Sequence, residues 1–205
     1  MMWPDWRGEC VAILAAGPSM RAANLAVLRD RIHVLAIKAT IDLYPWAGVV
    51  YGCDAAWWHH VKGLPKFNGV KLSQDKFVCG QYKLQKVDVF SSNDKLLFER
   101  VGTVGAGGNS GFQAFNLALQ FGATGILLIG FDMHDSGGVH YYGRNTWPNA
   151  CNPIESNFIR WRKAFEGSKM EVVARGVDVV NASPTSRLNC FRHCTIDQAL
   201  TDWGL

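Results

Sequence analysis

A glycine-rich turn that leads into a helix, a strand and an acid is the sequence feature that most restricts the fold. Residues 107–111 (GGNSG) carry three glycines and precede residues 112–121, which have helical composition. Three apolar side chains repeat there at i, i+3 and i+7, on one helix face: Phe112, Phe115 and Leu119. Gly122 suits the left-handed position just past the helix. Residues 126–129 are fully apolar and Asp132 follows them, which predicts a buried strand that ends in an acid.

Other apolar runs of the same kind lie earlier in the chain and are bounded by turn residues. They indicate buried strands at Cys10–Ala16, His33–Lys38 and Gly48–Cys53. Residues 20–31, between the first two runs, have the composition of a helix. Buried apolar strands joined by helices predict parallel pairing with right-handed crossovers. We therefore expect an α/β fold with a Rossmann-like, doubly wound, mostly parallel sheet in three layers.

The rest of the chain has weaker patterns. Residues 62–104 are rich in polar and turn residues, and we expect irregular structure or edge strands there. Apolar positions repeat at helical spacing in residues 153–165. Further short strands are expected at Phe77–Cys79, Val87–Phe90, Val172–Ala174 and Asp178–Asn181. With no internal repeat and no linker, residues 1–205 are predicted to form a single nucleotide-binding domain with an irregular middle insertion at about 62–104.

Composition narrows the class of protein. A chain of 205 residues, 48% of them hydrophobic, can bury a core without disulfides. A net charge of +4 suits a phosphate-bearing ligand, but the lysines and arginines are scattered, so nucleic acid is expected only as an acceptor. Pro4, Asp5, Arg7 and Glu9 interrupt any secretory signal, and no segment approaches the roughly 20 apolar residues of a membrane span. We expect a cytoplasmic location.

The six cysteines lie at positions 10, 53, 79, 151, 190 and 194. Several fall within predicted strands or helices, which is typical of reduced thiols in a cytosolic protein. Cys190, His193 and Cys194 raise zinc as an alternative, but paired two-residue spacing and a fourth ligand are missing. We expect six free thiols.

Two glycine turns are candidates for phosphate binding. The first follows the first predicted strand, where unpaired backbone N–H groups and a helix dipole favour an anion: Gly17, Pro18 and Ser19. The second opens the long unit described above: Gly108, Asn109, Ser110 and Gly111. The alternative for both is structural, namely an ordinary turn with a residue that caps the next helix.

Acids follow two of the predicted strands, at Asp54 and Asp132. Ligands of open parallel sheets bind outside the carboxyl ends of the strands. Carboxylates there can hold a metal on phosphates or bind ribose hydroxyls, and Asp132 is also a candidate for catalysis. We expect both acids to face one cleft. Ser183 lies in the loop after the last predicted strand, which either closes over this edge or simply connects two elements.

The polar loop of residues 134–144 contains groups suited to acid–base chemistry. His140 is our first candidate for a general base and His134 the second. Tyr142 and Arg144 can hold a leaving phosphate. The alternative is a solvated loop with aromatic anchors.

The order of these motifs resembles that of a Rossmann-like family that contains archaeal 6-hydroxymethylpterin diphosphokinases and many short bacteriophage proteins of unknown role, the phage proteins more closely. It also resembles sialyltransferases of the Campylobacter type, which use CMP-sialic acid. The resemblance extends from about Val11 to Leu188. Its segments are AILAAGPSM, VVYGCDAAWW, GGNSGFQAFNLALQFGATGILLIGFDMH and VVNASPTSRL.

The resemblance implies a nucleotide site. Residues 17–19 would line the phosphates, and residues 108–111 would contact the nucleotide or the transferred group. In the diphosphokinases, acids near the phosphates hold magnesium, which Asp54 and Asp132 match. The sialyltransferases carry a tyrosine just after the strand-end acid, where this chain has Met-His, and a downstream histidine base that His140 matches loosely.

The sequence therefore predicts a nucleotide-dependent transferase, glycosyltransferase-like or diphosphokinase-like, with a nucleotide or nucleotide sugar as substrate. The resemblance implies that it is phage-encoded and acts in the host cytoplasm. One alternative is a non-catalytic module that binds or sequesters a nucleotide in phage–host interaction. Another is an assembly role on a degenerate enzyme fold, because fold alone does not settle function.

Overall fold

The computed structural model describes residues 2–205. Its strands are β1 (Cys10–Leu14), β2 (His33–Ile37), β3 (Val49–Tyr51), β4 (Val70–Ser73), β5 (Gln85–Lys86), β6 (Asp88–Phe90), β7 (Thr103–Gly105), β8 (Gly125–Ile129), β9 (Asp178–Asn181) and β10 (Arg192–His193). Its α-helices are α1 (Ala55–His60), α2 (Lys76–Tyr82), α3 (Ser110–Gln120), α4 (Glu155–Ala174) and α5 (Ile196–Asp202). Short 3-10 helices span Pro18–Ala22, Leu25–Leu28 and Lys38–Asp42.

Eight of these strands form one sheet in the order β10-β9-β8-β1-β2-β3-β4-β5, and neighbouring strands are parallel throughout. The predicted α/β class with a Rossmann-like parallel sheet is confirmed. The chain leaves β1 toward β2 on one side and reaches β8 on the other. Such a reversal of strand order opens a crevice at the carboxyl edge of the sheet.

Helices cover both faces of the sheet, because side chains of a strand point alternately to opposite sides. In β1, Val11 and Ile13 join a core cluster with α3 and α4. Ala12 and Leu14 join a second cluster with the 3-10 helices, α1, α2 and α5. The fully apolar strands of the sequence are those buried on both faces.

Helix α3 is buried on nearly all sides rather than on one face as predicted. Its buried polar side chains form hydrogen bonds with other parts of the protein. Gln113 accepts from the Tyr51 hydroxyl at 2.5 Å and donates to the Ala106 carbonyl. Asn116 accepts from the backbone N–H groups of Leu97 and Gly105. The outer face is therefore covered by residues of the middle segment, which the helical periodicity does not reveal.

The middle segment, residues 62–104, is more regular than expected. Strands β4 and β5 extend the main sheet at its edge, with α2 between them. Strands β6 and β7 pair in a separate two-stranded parallel sheet. Residues 77–79 belong to α2, so the predicted strand is wrong there. The carboxylate of Asp75 accepts from the N–H groups of Phe77 and Val78, and this cap starts a helix.

Two other sequence predictions are wrong. Residues 20–31 form two 3-10 helices instead of an α-helix, with a break at Asn24. Met20 and Leu25 are both buried, and positions five apart lie roughly 140° apart around an α-helix, so one α-helix does not direct both inward. Residues 172–174 are the last turn of α4 and not a strand. Val172 is buried there on the same helix face as Phe165.

Candidate functional site

A cleft of about 270 Å³ lies at the carboxyl edge of the sheet. This volume is near the lower end of the range for small-molecule sites, roughly 300–1,000 Å³. Its walls are the ends of β1, β2, β3 and β8, the start of α3, the first half of α4 and parts of the loop between β8 and α4. The site therefore sits at the strand-order reversal, as the sequence predicted for a ligand of an open parallel sheet.

The amino end of α3 presents free backbone donors to this cleft. Gly108, Asn109, Ser110 and Gly111 line the cleft. No hydrogen bond among residues 2–205 uses their four backbone N–H groups. The Asn109 side chain caps the helix by accepting from the Phe112 N–H at 2.9 Å. Capping and anion binding are thus compatible here, because the side chain satisfies one donor and leaves the others to a ligand.

The two sides of this helix start differ in chemistry. On one side, the indole N–H of Trp161 donates to the Gly108 carbonyl at 2.9 Å, and Phe158 packs edge-on against Trp161 at 5.2 Å between ring centroids. On the other side, the Ser110 hydroxyl accepts from the Cys53 N–H at 3.2 Å and lies 3.0 Å from the Cys53 sulfur. An aromatic wall and a polar wall therefore flank the free donors.

The first glycine turn is arranged differently. The Gly17 N–H donates to the Gly130 carbonyl at 2.9 Å, the Ser19 N–H donates to Asp132, and Pro18 has no N–H. Gly17 lines the cleft, whereas Pro18 and Ser19 do not. The donors of this turn are directed into the fold, so α3 is the better start of an anion site.

Asp132 is almost completely buried, with 2% exposure, although it borders the cleft. One carboxylate oxygen accepts from the Ser19 N–H and the Thr185 hydroxyl, both at 3.1 Å. The other accepts from the Ser19 hydroxyl at 2.7 Å. These three bonds hold the loops after β1, β8 and β9 together, which gives Asp132 a structural task.

The residues of the cleft do not fit the predicted magnesium site. Asp54 also lines the cleft, but its carboxylate forms an ion pair with Lys38. Asp132 accepts from hydroxyl and N–H donors. In the described part of the chain, no three His, Cys, Asp or Glu side chains are grouped so as to hold a metal ion. Magnesium binds through several oxygen ligands, which this pair of acids does not supply together.

His140 lines the cleft and its ring stacks on Tyr142, with 5.1 Å between ring centroids. Burial, and after it the positive charge of Lys38, lowers the pKa of His140 from 6.5 to about 4. The imidazole is therefore neutral at pH 7 and a weak proton acceptor. The Tyr142 hydroxyl donates to the Asn145 side chain at 2.8 Å, and Asn145 also lies 3.5 Å from His140 Nε2.

Three other predicted site residues either have their side chains engaged in hydrogen bonds within the protein or lie outside the cleft. His134 borders the cleft, but its Nε2 donates to the Thr185 carbonyl at 2.7 Å and its Nδ1 accepts from the Ser136 N–H, so both ring nitrogens are occupied. Arg144 is exposed and does not line the cleft. Ser183 is fully buried, and its hydroxyl accepts from the Phe131 N–H at 2.8 Å.

Sequence reasoning missed several side chains of the cleft, among them Lys38, Phe158 and Trp161. Lys38 directly follows β2, so the strand-end rule that selected the two acids also applies to it. Phe158 and Trp161 were assigned to a helix by their periodicity, and nothing local shows that this helix begins beside the cleft.

Two comparisons identify no relatives: no protein-family model matches the chain, and no curated protein matches it. Solved structures share its fold. The sialyltransferase CstII from Campylobacter jejuni, in complex with the substrate analogue cytidine-5'-monophosphate, aligns with a TM-score of 0.57 and 12% identity over 92% of this chain and 86% of that chain. A complex of the sialyltransferase CST-II with a trisaccharide acceptor and CMP aligns with a TM-score of 0.56 and 14% identity, over 91% and 86%.

None of the helices described by the structure is long and apolar enough to cross a membrane.

Proposed function

We propose that the protein is a glycosyltransferase-like enzyme that takes a sugar from a nucleotide sugar. The observation that carries this proposal is the row of four free backbone N–H groups, Gly108–Gly111, in a cleft at the strand-order reversal. Free N–H groups of a glycine turn and of the helix start that follows it favour a phosphate, and the helix dipole adds to this preference. The shared fold with sialyltransferase structures that contain CMP supports a nucleotide as the phosphate-bearing ligand.

The walls of the cleft accommodate the parts of such a ligand. Trp161, which packs on the buried Phe158, provides aromatic surface next to Gly108 on which a base can pack. The transferred sugar would then lie on the Ser110 side, near Asp54 and His140. In the proposed reaction an acceptor hydroxyl attacks the anomeric carbon and gives its proton to His140. The bond from that carbon to the phosphate oxygen breaks, and the leaving phosphate keeps the electron pair beside α3.

Transfer of a diphosphate from ATP is the less favoured alternative. The resemblance that suggested it also implied acids holding magnesium, and Asp54 and Asp132 are committed to Lys38 and to the Ser19 and Thr185 donors. The resemblance to bacteriophage proteins, and with it an action in a host cytoplasm, stays a prediction. A binding module without turnover is favoured by one observation, the low pKa of His140, which makes it a weak base.

Two variants of Ser110 test where the phosphate binds. Ser110 is the first residue of α3, a position where proline is tolerated. Ser110→Pro removes the hydroxyl and one backbone N–H, whereas the control Ser110→Ala removes the hydroxyl alone. We expect Ser110→Pro to weaken nucleotide binding by roughly 10- to 100-fold relative to Ser110→Ala, because it loses a hydrogen bond to a charged group.

Calorimetric titration with CMP, UDP, GDP and AMP measures this difference, with thermal unfolding as a check on folding. Equal affinities of the two variants would place the phosphate elsewhere, and failure of all four nucleotides to bind wild type would overturn the proposal. Release of free nucleotide from a nucleotide sugar then separates an enzyme from a binding module, which binds without release.

A further inference from the structure

An ion pair forms part of the polar wall of the cleft. Lys38 follows β2 and Asp54 follows β3, and these strands are neighbours in the sheet. The ammonium group of Lys38 donates to Asp54 Oδ2. The Lys38 side chain is 23% exposed and that of Asp54 is 52% exposed, so the carboxylate is the more accessible partner, and both residues line the cleft.

The backbone at Lys38 is held in an unusual conformation. Its φ of +52° lies in the left-handed region, which residues other than glycine rarely adopt. Such residues persist where the surrounding structure holds them in place, and they cluster at ligand sites. The 3-10 helix Lys38–Asp42 that starts here is anchored by Thr40, whose hydroxyl donates to the Leu14 carbonyl at 3.0 Å. Lys38 is thus positioned by β1 and β2 together.

The two charges of the pair compensate each other. Burial disfavours the charged form of both groups. The neighbouring Cys53, Asp54 and Tyr142 nevertheless raise the pKa of Lys38, and the charge and hydrogen bond of Lys38 lower the pKa of Asp54. Lys38 is the only lysine or arginine among the cleft-lining residues within 2–205. The polar wall therefore has no uncompensated cation, and its exposed face is a carboxylate.

We infer that the Lys38–Asp54 pair selects a neutral, hydroxyl-bearing sugar as the transferred group and disfavours a sugar that carries a carboxylate. The inference rests on the proposed function. A sugar attached to a phosphate at the start of α3 reaches Asp54, because the Cys53 N–H is bonded to the Ser110 hydroxyl. The Asp54 carboxylate accepts hydrogen bonds from sugar hydroxyls. A carboxylate on the sugar meets a like charge there and finds Lys38 already paired.

Matched donors test this inference directly. UDP-glucose and UDP-glucuronate differ only in a hydroxymethyl or carboxylate group, as do GDP-mannose and GDP-mannuronate. CMP-sialic acid and its methyl ester form the cytidine pair, and ADP-glucose and ADP-glucuronate form the adenosine pair. Dissociation constants are measured for the pair whose free nucleotide binds. We expect wild type to bind the neutral member about tenfold more tightly, a difference of ~1.4 kcal/mol.

Asp54→Asn removes the carboxylate and leaves Lys38 without its partner. We expect this variant to lose the tenfold preference or to reverse it, because the free ammonium group then attracts a sugar carboxylate. Asp30→Asn is the control, since it removes the same charge from a side chain that is 92% exposed and outside the cleft. It should keep the wild-type preference, and thermal unfolding confirms that each variant is folded.

The failures are distinguishable. If free nucleotides bind but wild type prefers the acidic donor or binds both equally, the inference is overturned and the proposed function is untouched. The inference also fails if Asp54→Asn retains the wild-type preference. If no free nucleotide binds, the proposed function and the inference fall together.

Discussion

Asp132 and Ser19, 113 residues apart in the chain, are joined by two hydrogen bonds, from the Ser19 N–H at 3.1 Å and from its hydroxyl at 2.7 Å. They connect the loop after β8 to the turn after β1, across the strand-order reversal. The most conspicuous acid of the cleft edge is thereby a structural support for the site, and its removal should act first on stability.

Asp132→Ala should lower the free energy of unfolding by about 2–4 kcal/mol. The substitution leaves the Ser19 N–H, the Ser19 hydroxyl and the Thr185 hydroxyl without their buried acceptor. Hydrogen bonds to charged groups are worth about 1.5–3 kcal/mol each, and the variant recovers part of their sum because burying a carboxylate itself costs free energy. Urea unfolding measures the change. Asp135→Ala is the control, because its side chain is exposed, and should change stability by less than about 0.5 kcal/mol. Equal stability of the two variants would contradict the structural task of Asp132.

Two glycine substitutions should change the free energy of unfolding in opposite directions. A Cβ atom at Gly17 would lie 1.9 Å from an Asp132 oxygen and 2.4 Å from the Gly130 carbonyl oxygen, so Gly17→Ala forces the two loops apart. We expect a loss of at least about 1–3 kcal/mol. A Cβ atom at Gly80, within α2, meets nothing within 4 Å, and Gly80→Ala should gain about 0.5–1 kcal/mol through helix propensity. A stable Gly17→Ala protein would show that this turn is loosely packed.

If the protein is a transferase, His140→Gln should reduce kcat by about 10²- to 10⁴-fold, the usual range for a general base. Nucleotide affinity should stay within about threefold of wild type, because the phosphate is held by α3. Nucleotide release is measured in parallel for His33→Gln, which replaces an exposed histidine outside the cleft. Unchanged turnover in His140→Gln removes His140 from the mechanism. Lost nucleotide binding instead makes His140 a ligand contact.

The lowered pKa of His140 also predicts a dependence of stability on pH. The unfolded chain has an ordinary histidine pKa of 6.5 and the folded chain one of about 4, so between these values the unfolded state binds the proton. The stabilisation by the neutral imidazole is complete above pH 6.5 and is lost as the pH falls to 4. The full shift corresponds to roughly 3 kcal/mol, which solvent contact reduces. Urea unfolding of wild type and His140→Gln from pH 4 to 8 should show a steeper acid loss in wild type; parallel curves would contradict the shift.

Cys151 should be the first thiol to react with a thiol reagent, and a bound nucleotide should protect it. All six cysteines are free, but Cys151 alone among them is exposed, and it lines the cleft. Burial raises the pKa of Cys53 to about 11 and that of Cys190 to about 12, so both react slowly near pH 8. Mass spectrometry of partly alkylated protein, with and without nucleotide, identifies the site. Fast labelling that persists in Cys151→Ser would assign the reactive thiol elsewhere.

The sequence alone determined the main strands of the sheet and their parallel pairing. Runs such as CVAIL and GILLI are short and apolar at every position, which is typical of a strand buried on both faces, and this predicts parallel pairing between helix layers. Strand ends followed by turns and acids then indicated the edge of the sheet at which the cleft lies. The GGNSG turn predicted the amino end of a buried helix, and that helix does line the cleft.

The tertiary structure decided which polar groups are free. In the sequence, both glycine turns precede a predicted helix. In the structure, the N–H groups of Gly17 and Ser19 donate to Gly130 and Asp132, while those of Gly108–Gly111 make no hydrogen bond within residues 2–205. The same holds for the acids: Asp132 is enclosed by donors and Asp54 is paired with Lys38. Local sequence fixes where a polar group stands along the chain. Whether that group is hydrogen-bonded depends on a partner elsewhere in the sequence, which comes within hydrogen-bonding distance only when the strands pair.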